Sequence, residues 1–217
     1  MSSDAVNNPS PQSSPLHEGE RRIHQSPSLS LSAVLLAGGE SRRMGTDKAT
    51  SLLRGKPLWQ IQLETLQKMG PTEIFVSART DPSWRPDGIH FIADVPPSRG
   101  PLSGLVASLG RMSASHLLAL AIDMPWMSNK YLEFLCAQIG PGCGVIPKIT
   151  DYAEPLAAIY PREAAVDLRN TLESGDYSLQ SVTRRLVGCE KLRQIPVADQ
   201  DKPLFLNVNE LADLQSA

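Results

Sequence analysis

Cysteine is scarce in this sequence. The three present, Cys136, Cys143 and Cys189, are odd in number and form no CxxC pair. That argues against a disulfide scaffold and a zinc site, and a reducing cytoplasm fits best. No apolar stretch approaches the ~18 residues that a membrane helix needs, and the N-terminus lacks the uninterrupted apolar core of a signal peptide. Excess charge of either sign is missing too. With 21 basic and 23 acidic residues the formal net charge is −2, so the chain has no global attraction to nucleic acid or to an anionic membrane. An anionic partner must therefore be gripped locally.

A length of 217 residues suits one domain with a sizeable core and a tail rather than two full domains. Residues 1–30 are rich in Ser, Pro, Asn and charge and nearly devoid of apolar side chains. They cannot offset the entropy of ordering and read as a disordered extension, with the folded domain over 31–217. His17 and His24 fall in that tail and read as solvated side chains rather than metal ligands.

What is present is concentrated at residues 33–48. A short apolar run, Ala33 to Leu36, reads as a buried strand ending in Gly38 and Gly39. Adjacent glycines let the backbone turn sharply, and successive N–H groups in such a turn form a concavity suited to anions. Arg42, Arg43 and Lys48 add positive charge, and Gly45 lies among them. Lysine brings a mobile point charge that reaches phosphate oxygens. The spacing matches neither GxxxxGK[ST] nor GxGxxG, so the two common nucleotide loops are excluded.

Beyond the loop, residues 50–57 read as a hairpin-like excursion around Gly55. Leu58, Ile61, Leu66 and Met69 mark a helix that stops at Gly70-Pro71. Strands follow at 74–76 and 89–92. Gly100-Pro101 opens a helix to Met112 with proline in its first turn, directed at the ligand edge of the sheet. The continuous apolar run 116–122 predicts a central strand covered on both faces. Ser128 caps a helix to Gly140. Strands at 145–146 and 156–159, a loop over 151–155, helices over 161–174 and 179–186, a strand at 192–197 and a short helix from Glu210 complete the pattern. Alternation of this kind implies an α/β fold with a doubly wound, mostly parallel sheet and ligands at the carboxyl ends of the strands.

Several polar residues fall at those ends. Asp123, just past the apolar strand and stiffened by Pro125, suits a divalent metal bridging protein and phosphate; the lesser alternative is a cap on the next turn. Asp94 occupies the same topological position after its strand, to contact a nucleotide or acceptor or to form the turn before Pro96-Pro97. Asn207 and Asn209 share a face of an extended segment and offer neutral oxygen donors, with Asn209 also able to cap the last helix. Arg184-Arg185 reads as a solvated face, or as a hold on an anionic second substrate. Glu154-Pro155-Leu156 lies across the sheet from the metal position, as a plain loop or beside a second substrate.

Taken in order, these segments resemble the nucleotidyltransferase family that includes molybdenum cofactor guanylyltransferase. They are LAGGxSxRMGxDK at 36–48, GKPL at 55–58, Asp94 ahead of GPLxG at 100–104, DMP at 123–125, EPL at 154–156 and FxNxN at 205–209. The resemblance implies a Rossmann-like nucleotidyltransferase fold and transfer of GMP from GTP to the terminal phosphate of molybdopterin cofactor, with release of pyrophosphate. It implies Mg2+ as cofactor, GTP and molybdopterin as substrates, and molybdoenzymes or cofactor-insertion proteins as partners. It assigns Leu36, Ala37, Gly38 and Lys48 to GTP, Asp94 to the nucleotide and Asp123 to both GTP and magnesium. The glycine loop itself adds Gly39 to the nucleotide site, and charge neutralisation at the phosphates makes Lys48, Asp123 and Arg43 the catalytic set. Its alternatives are use of CTP, another phosphorylated acceptor, or a non-catalytic nucleotide-binding adaptor. The chain departs at Ser77, where some members carry Asn, and lacks the Thr-Pro that usually follows the second Asn of the last motif. Residues 175–179 read GDYSL, without the arginine that some members use.

Overall fold

Continuous apolar runs become strands here because both faces of the sheet are covered. A computed structural model describes residues 29–38, 48–94 and 100–208. Its elements are β1 (Leu31–Leu36), β2 (Leu52–Leu53), β3 (Lys56–Pro57), α1 (Leu58–Lys68), β4 (Ile74–Ala78) and β5 (His90–Ala93), followed by α2 (Pro101–Arg111), β6 (His116–Ala121) and α3 (Asn129–Cys136). Then come β7 (Gly144–Ile149), β8 (Tyr152–Ala153), β9 (Ala157–Pro161), α4 (Ala165–Glu173), α5 (Leu179–Gly188) and β10 (Leu192–Pro196). Short 3-10 helices occupy Lys48–Thr50, Arg162–Ala164 and Asp199–Phe205.

Eight strands form one sheet in the order β10-β7-β9-β6-β1-β4-β5, with β8 paired to β7. Along β1, Ala33 and Leu35 face one core while Val34 and Leu36 face the other, and β6 divides Leu118 and Leu120 from Leu117 and Ala119 in the same way. Leu58, Leu66, Leu132 and Leu135 of α1 and α3 cover the first face. Leu102, Leu105, Leu168, Val182 and Leu186 of α2, α4 and α5 cover the second. Each such side chain fully withdrawn from water contributes about 1.5–3 kcal/mol, which is why strand periodicity gives way to unbroken apolar runs.

The sheet is parallel throughout β5-β4-β1-β6 and again between β7 and β10. The exceptions are β8 and β9: β9 runs antiparallel to both its neighbours. The cause is chain length. A parallel crossover needs a dozen or more residues, and the connection from Ile149 to Ala157 is shorter than that. Residues 151–155, expected as a loop, contain the two-residue β8 that turns back on Lys148 and Ile149.

The hairpin expected around Gly55 forms between β2 and β3. Arg54 and Gly55 both have positive φ, as a two-residue type I′ turn requires. Ser128 caps α3 by accepting from the Tyr131 amide at 3.2 Å. Leu29 and Ser30 are described, and Ser30 exchanges backbone and side-chain hydrogen bonds with Ser115 at the foot of β6. Of the extension expected over residues 1–30, all but Leu29 and Ser30 lies outside the described residues, as does the helix expected from Glu210. Among the described residues no helix is long and apolar enough to cross a membrane.

Candidate active site

The carboxyl ends of β1, β4, β5 and β6 point to one edge, and two constellations stand on it. The first begins where β1 ends. Ala37 donates to the Ser77 carbonyl at 2.9 Å and Ile122 donates to the Leu36 carbonyl at 3.1 Å, so the strand end is clamped on both sides. Gly38 follows, and beneath it lies Asp94, only 7% exposed. A methyl group on Gly38 would sit 2.9 Å from Asp94 Oδ2. The carboxylate has little room to retreat, because Ser77 Oγ donates to its other oxygen at 2.8 Å. Ser77 is itself hemmed in by Gly104 of α2, where a Cβ would come within 2.4 Å of Ser77 Oγ. Leu36, Gly38, Ser77, Asp94 and Gly104 therefore form one interlocked corner. The N-terminus of α2 opens on the same edge, with Gly100 at φ +70° and Pro101 as the first helical residue. Its dipole favours negative charge there.

The second constellation lies across β1. Lys48 opens the 3-10 turn Lys48–Thr50, and its ammonium meets Asp123 Oδ2 at 3.2 Å. The two side chains are 18% and 26% exposed, so solvent reaches both without dissolving the pair. Asp123 is fixed from behind: its carbonyl accepts the Val208 amide at 2.8 Å, which brings the 205–208 segment against the Asp-Met-Pro turn. Phe205 anchors that segment by packing edge-on against Tyr131 at a centroid distance of 5.3 Å. Buried Gln62 on α1 donates to the Ala121 carbonyl at 2.9 Å, two residues before Asp123.

The sequence marked Leu36, Ala37, Gly38, Lys48, Asp94 and Asp123, and the fold gathers them on this edge in two neighbouring groups. Gly39, Arg43 and Asn209 lie outside the described residues, as do the remaining cations of that loop. Asn207 is exposed beside Val208. Arg185 holds helices together: its guanidinium donates to the Asp167 carbonyl and to Thr171 Oγ1 on α4.

Sequence reasoning passed over two contributors. Gln62 falls at i+4 from Leu58 and i−4 from Leu66, a spacing that would have put it on the buried stripe. Ser77 was noted only as a departure from a motif, and its bond to Asp94 depends on β4 and β5 lying side by side.

Among the described residues no three His, Cys, Asp or Glu side chains gather as a metal cage. Magnesium does not require one, since it is commonly held by one or two carboxylates with phosphate oxygens and water. The partly exposed Asp123 carboxylate beside a cation suits that mode.

A family model described as "MobA-like NTP transferase domain" matches residues 33–191. The chain belongs to the MobA-like NTP transferase family. A relative from Opitutus terrae named "Probable molybdenum cofactor guanylyltransferase" is 32% identical, the match covering 84% of this chain and 92% of the relative. The "Molybdenum cofactor guanylyltransferase" of Syntrophotalea carbinolica is 29% identical over 85% of this chain and 89% of its own. The crystal structure of molybdopterin-guanine dinucleotide biosynthesis protein A from Archaeoglobus fulgidus superposes with a TM-score of 0.68 at 28% identity. It covers 85% of this chain and 95% of that one. The MobA-like assignment spans both constellations, from β1 through Asp123 to Lys191, and fits the mixed, mostly parallel sheet with flanking helices.

Proposed function

We propose that this protein transfers GMP from GTP to the terminal phosphate of the molybdenum–molybdopterin cofactor, giving molybdopterin guanine dinucleotide and pyrophosphate. The observation that carries the reading is the Lys48–Asp123 contact at 3.2 Å at the carboxyl edge of β6, in a chain whose relatives bear that activity in their names. The catalytic unit is one domain over residues 31–217, working in the cytoplasm, the compartment that cysteine usage favours.

A phosphate oxygen of the acceptor attacks the α-phosphorus of GTP, and the bond from that phosphorus to the bridging oxygen of pyrophosphate breaks. The protein forms no covalent bond in this scheme. Rate comes from alignment and from charge placed in advance where negative charge accumulates. Leu36, Ala37, Gly38 and Gly39 offer main chain to the nucleotide, Asp94 contacts it from the interlocked corner, and Lys48 and Arg43 neutralise phosphate oxygens. Asp123 would hold a magnesium ion, which would supply positive charge to the phosphate oxygens.

The lysine and aspartate satisfy each other, so neither charge stands unpaired on a partly buried edge. Incubating the protein with Mg2+, molybdopterin cofactor and either GTP or CTP, with mass analysis of the product, tests the assignment. The guanine dinucleotide with one pyrophosphate per turnover is expected from GTP. A cytosine dinucleotide formed in preference, or no dinucleotide from either, overturns it.

A further inference from the structure

The loop that carries Glu154 is held more firmly than a plain connection requires. Gln180 of α5 grips Ala153 twice, its Nε2 donating to the Ala153 carbonyl at 2.7 Å and its Oε1 accepting the Ala153 amide at 3.3 Å. The Glu154 amide donates to the Pro147 carbonyl at 2.8 Å, and the Glu154 carbonyl accepts from Ala157. Fully buried Tyr160 donates its hydroxyl to the Pro155 carbonyl at 2.8 Å. Ala121 donates to the Leu156 carbonyl at 2.9 Å, which ties the loop to the strand that delivers Asp123. Because β9 is antiparallel, this loop reaches the same edge as the carboxyl ends of the parallel strands.

Within that rigid frame the Glu154 side chain is half-buried and makes no hydrogen bond or ion pair among the described residues. Burial raises its carboxyl above the ordinary 4.5. Lys148, whose cross-strand partner is Ala153, does not pair with it. A half-buried carboxylate on a pre-set loop costs solvation that an N–H donor from outside would restore.

Sheet order decides which ligand supplies the donor. Gly38, Ser77 and Asp94 lie on the β1-β4-β5 side of β6, whereas Glu154 lies on the β9-β7 side. A nucleotide on the first side leaves the second for the acceptor. We infer that Glu154 is a specificity residue for the acceptor, taking adjacent ring N–H and amino donors such as the 2-amino-4-oxopyrimidine edge of a pterin. This rests on the guanylyl-transfer reading above and adds a residue to it.

The probes are a simple pterin-6-carboxylate and the matching lumazine, which replaces the 2-amino donor with an acceptor oxygen, each measured by calorimetric titration of the full chain. Wild type is expected to bind the pterin about 10- to 100-fold more tightly than the lumazine, as loss of one charge-assisted donor and an oxygen set against the carboxylate in its place imply. Glu154→Gln is expected to erase that preference. In turnover, Glu154→Gln raises KM for the molybdopterin acceptor by a similar factor and leaves KM for GTP and kcat at saturation within about threefold.

Equal binding of both probes by wild type, or an unchanged preference in the variant, overturns the inference. A rise in KM for GTP instead would mean that Glu154 reads the chemically similar edge of guanine, and the acceptor assignment falls. Failure of wild type to form dinucleotide while the pterin preference persists would strike the proposed function and leave this one standing. Thermal unfolding of the variant within a few degrees of wild type removes misfolding as an explanation.

Discussion

Replacing Gly38 by alanine adds one methyl group, and the interlocked corner sets what that methyl costs. Gly38 is outside the left-handed region, so alanine suits its backbone and, with space available, would stabilise by about 0.4–1 kcal/mol through the unfolded chain. Space is what it lacks. The methyl would stand 2.9 Å from Asp94 Oδ2, and the carboxylate is bound to Ser77, which Gly104 backs in turn. Overpacking of this kind costs about 1–3 kcal/mol, which outweighs the entropic gain. Displacement of the β1 end by ~1 Å lowers kcat/KM for GTP by roughly 10²-fold.

The assay is a urea-denaturation cycle of Gly38→Ala, Asp94→Ala and the double variant, alongside initial rates. Asp94→Ala alone leaves the buried Ser77 hydroxyl without its acceptor and costs about 1–3 kcal/mol. In that background the added methyl meets no carboxylate, so Gly38→Ala becomes neutral or stabilising and the cycle shows a coupling of about 0.5–3 kcal/mol. A Gly38→Ala effect of the same sign and size in both backgrounds would refute the steric argument.

Lys48→Ala and Asp123→Ala are each expected to cut turnover by roughly 10²–10³-fold while shifting unfolding free energy by no more than about 1 kcal/mol, as a solvent-accessible ion pair should; near-normal turnover of either counts against the site. Glu73 accepts from Ser32 Oγ at 2.7 Å and from the Ser113 amide and hydroxyl at 2.6 and 2.8 Å. Its burial works to raise the carboxyl, but those bonds, led by the Ser113 amide, bring it below 4.5. A depressed folded value means stability is present above the unfolded pKa and lost as pH falls through the lower folded one. Denaturation midpoints at about pH 3 and about pH 7 should therefore differ more in wild type than in Glu73→Gln, and an identical acid loss in both would dismiss the assignment. Ser128→Ala removes the α3 cap and is expected to cost about 0.5–2 kcal/mol with little effect on turnover, a denaturation midpoint equal to wild type being the contrary result. Gly144→Ala would thrust a methyl to 2.0 Å from the Ile159 carbonyl oxygen, a backbone atom that cannot turn aside. It should be the most destabilising glycine-to-alanine change discussed, and ranking it below Gly38→Ala by denaturation would contradict the register of β7 on β9.

Where a residue's environment is set by its neighbours in sequence, the chain was legible. The runs at 33–36 and 116–122 announce strands covered on both faces, and Ser128 and Pro101 sit where helices begin. The marked glycine, lysine and aspartates also share one edge, because the carboxyl ends of parallel strands follow from strand direction alone. What was hidden depends on pairings between distant segments. Nothing within residues 156–161 declares that β9 runs against its neighbours. The bond between Ser77 and Asp94 exists only because β4 and β5 are adjacent in space. Gln62 was overlooked because polarity argues for exposure, whereas its amide is spent on the Ala121 carbonyl. Arg185 illustrates the converse: an exposed arginine on a helix read as solvated, yet its guanidinium fastens α5 to α4.

The reversed strand has a consequence for how the chain tolerates length changes. Side chains alternate along β9, with Ile159 turned toward the core beneath α1 and α3 and Tyr160 toward the one beneath α2, α4 and α5. Removing one residue from 150–156 and sliding the strand by one position would exchange those two, sending a phenol into a hydrocarbon layer and pulling its hydroxyl off the Pro155 carbonyl. Indels in this short stretch thus translate into an inverted middle strand, and trimming here is a structural act although the segment lies on the rim.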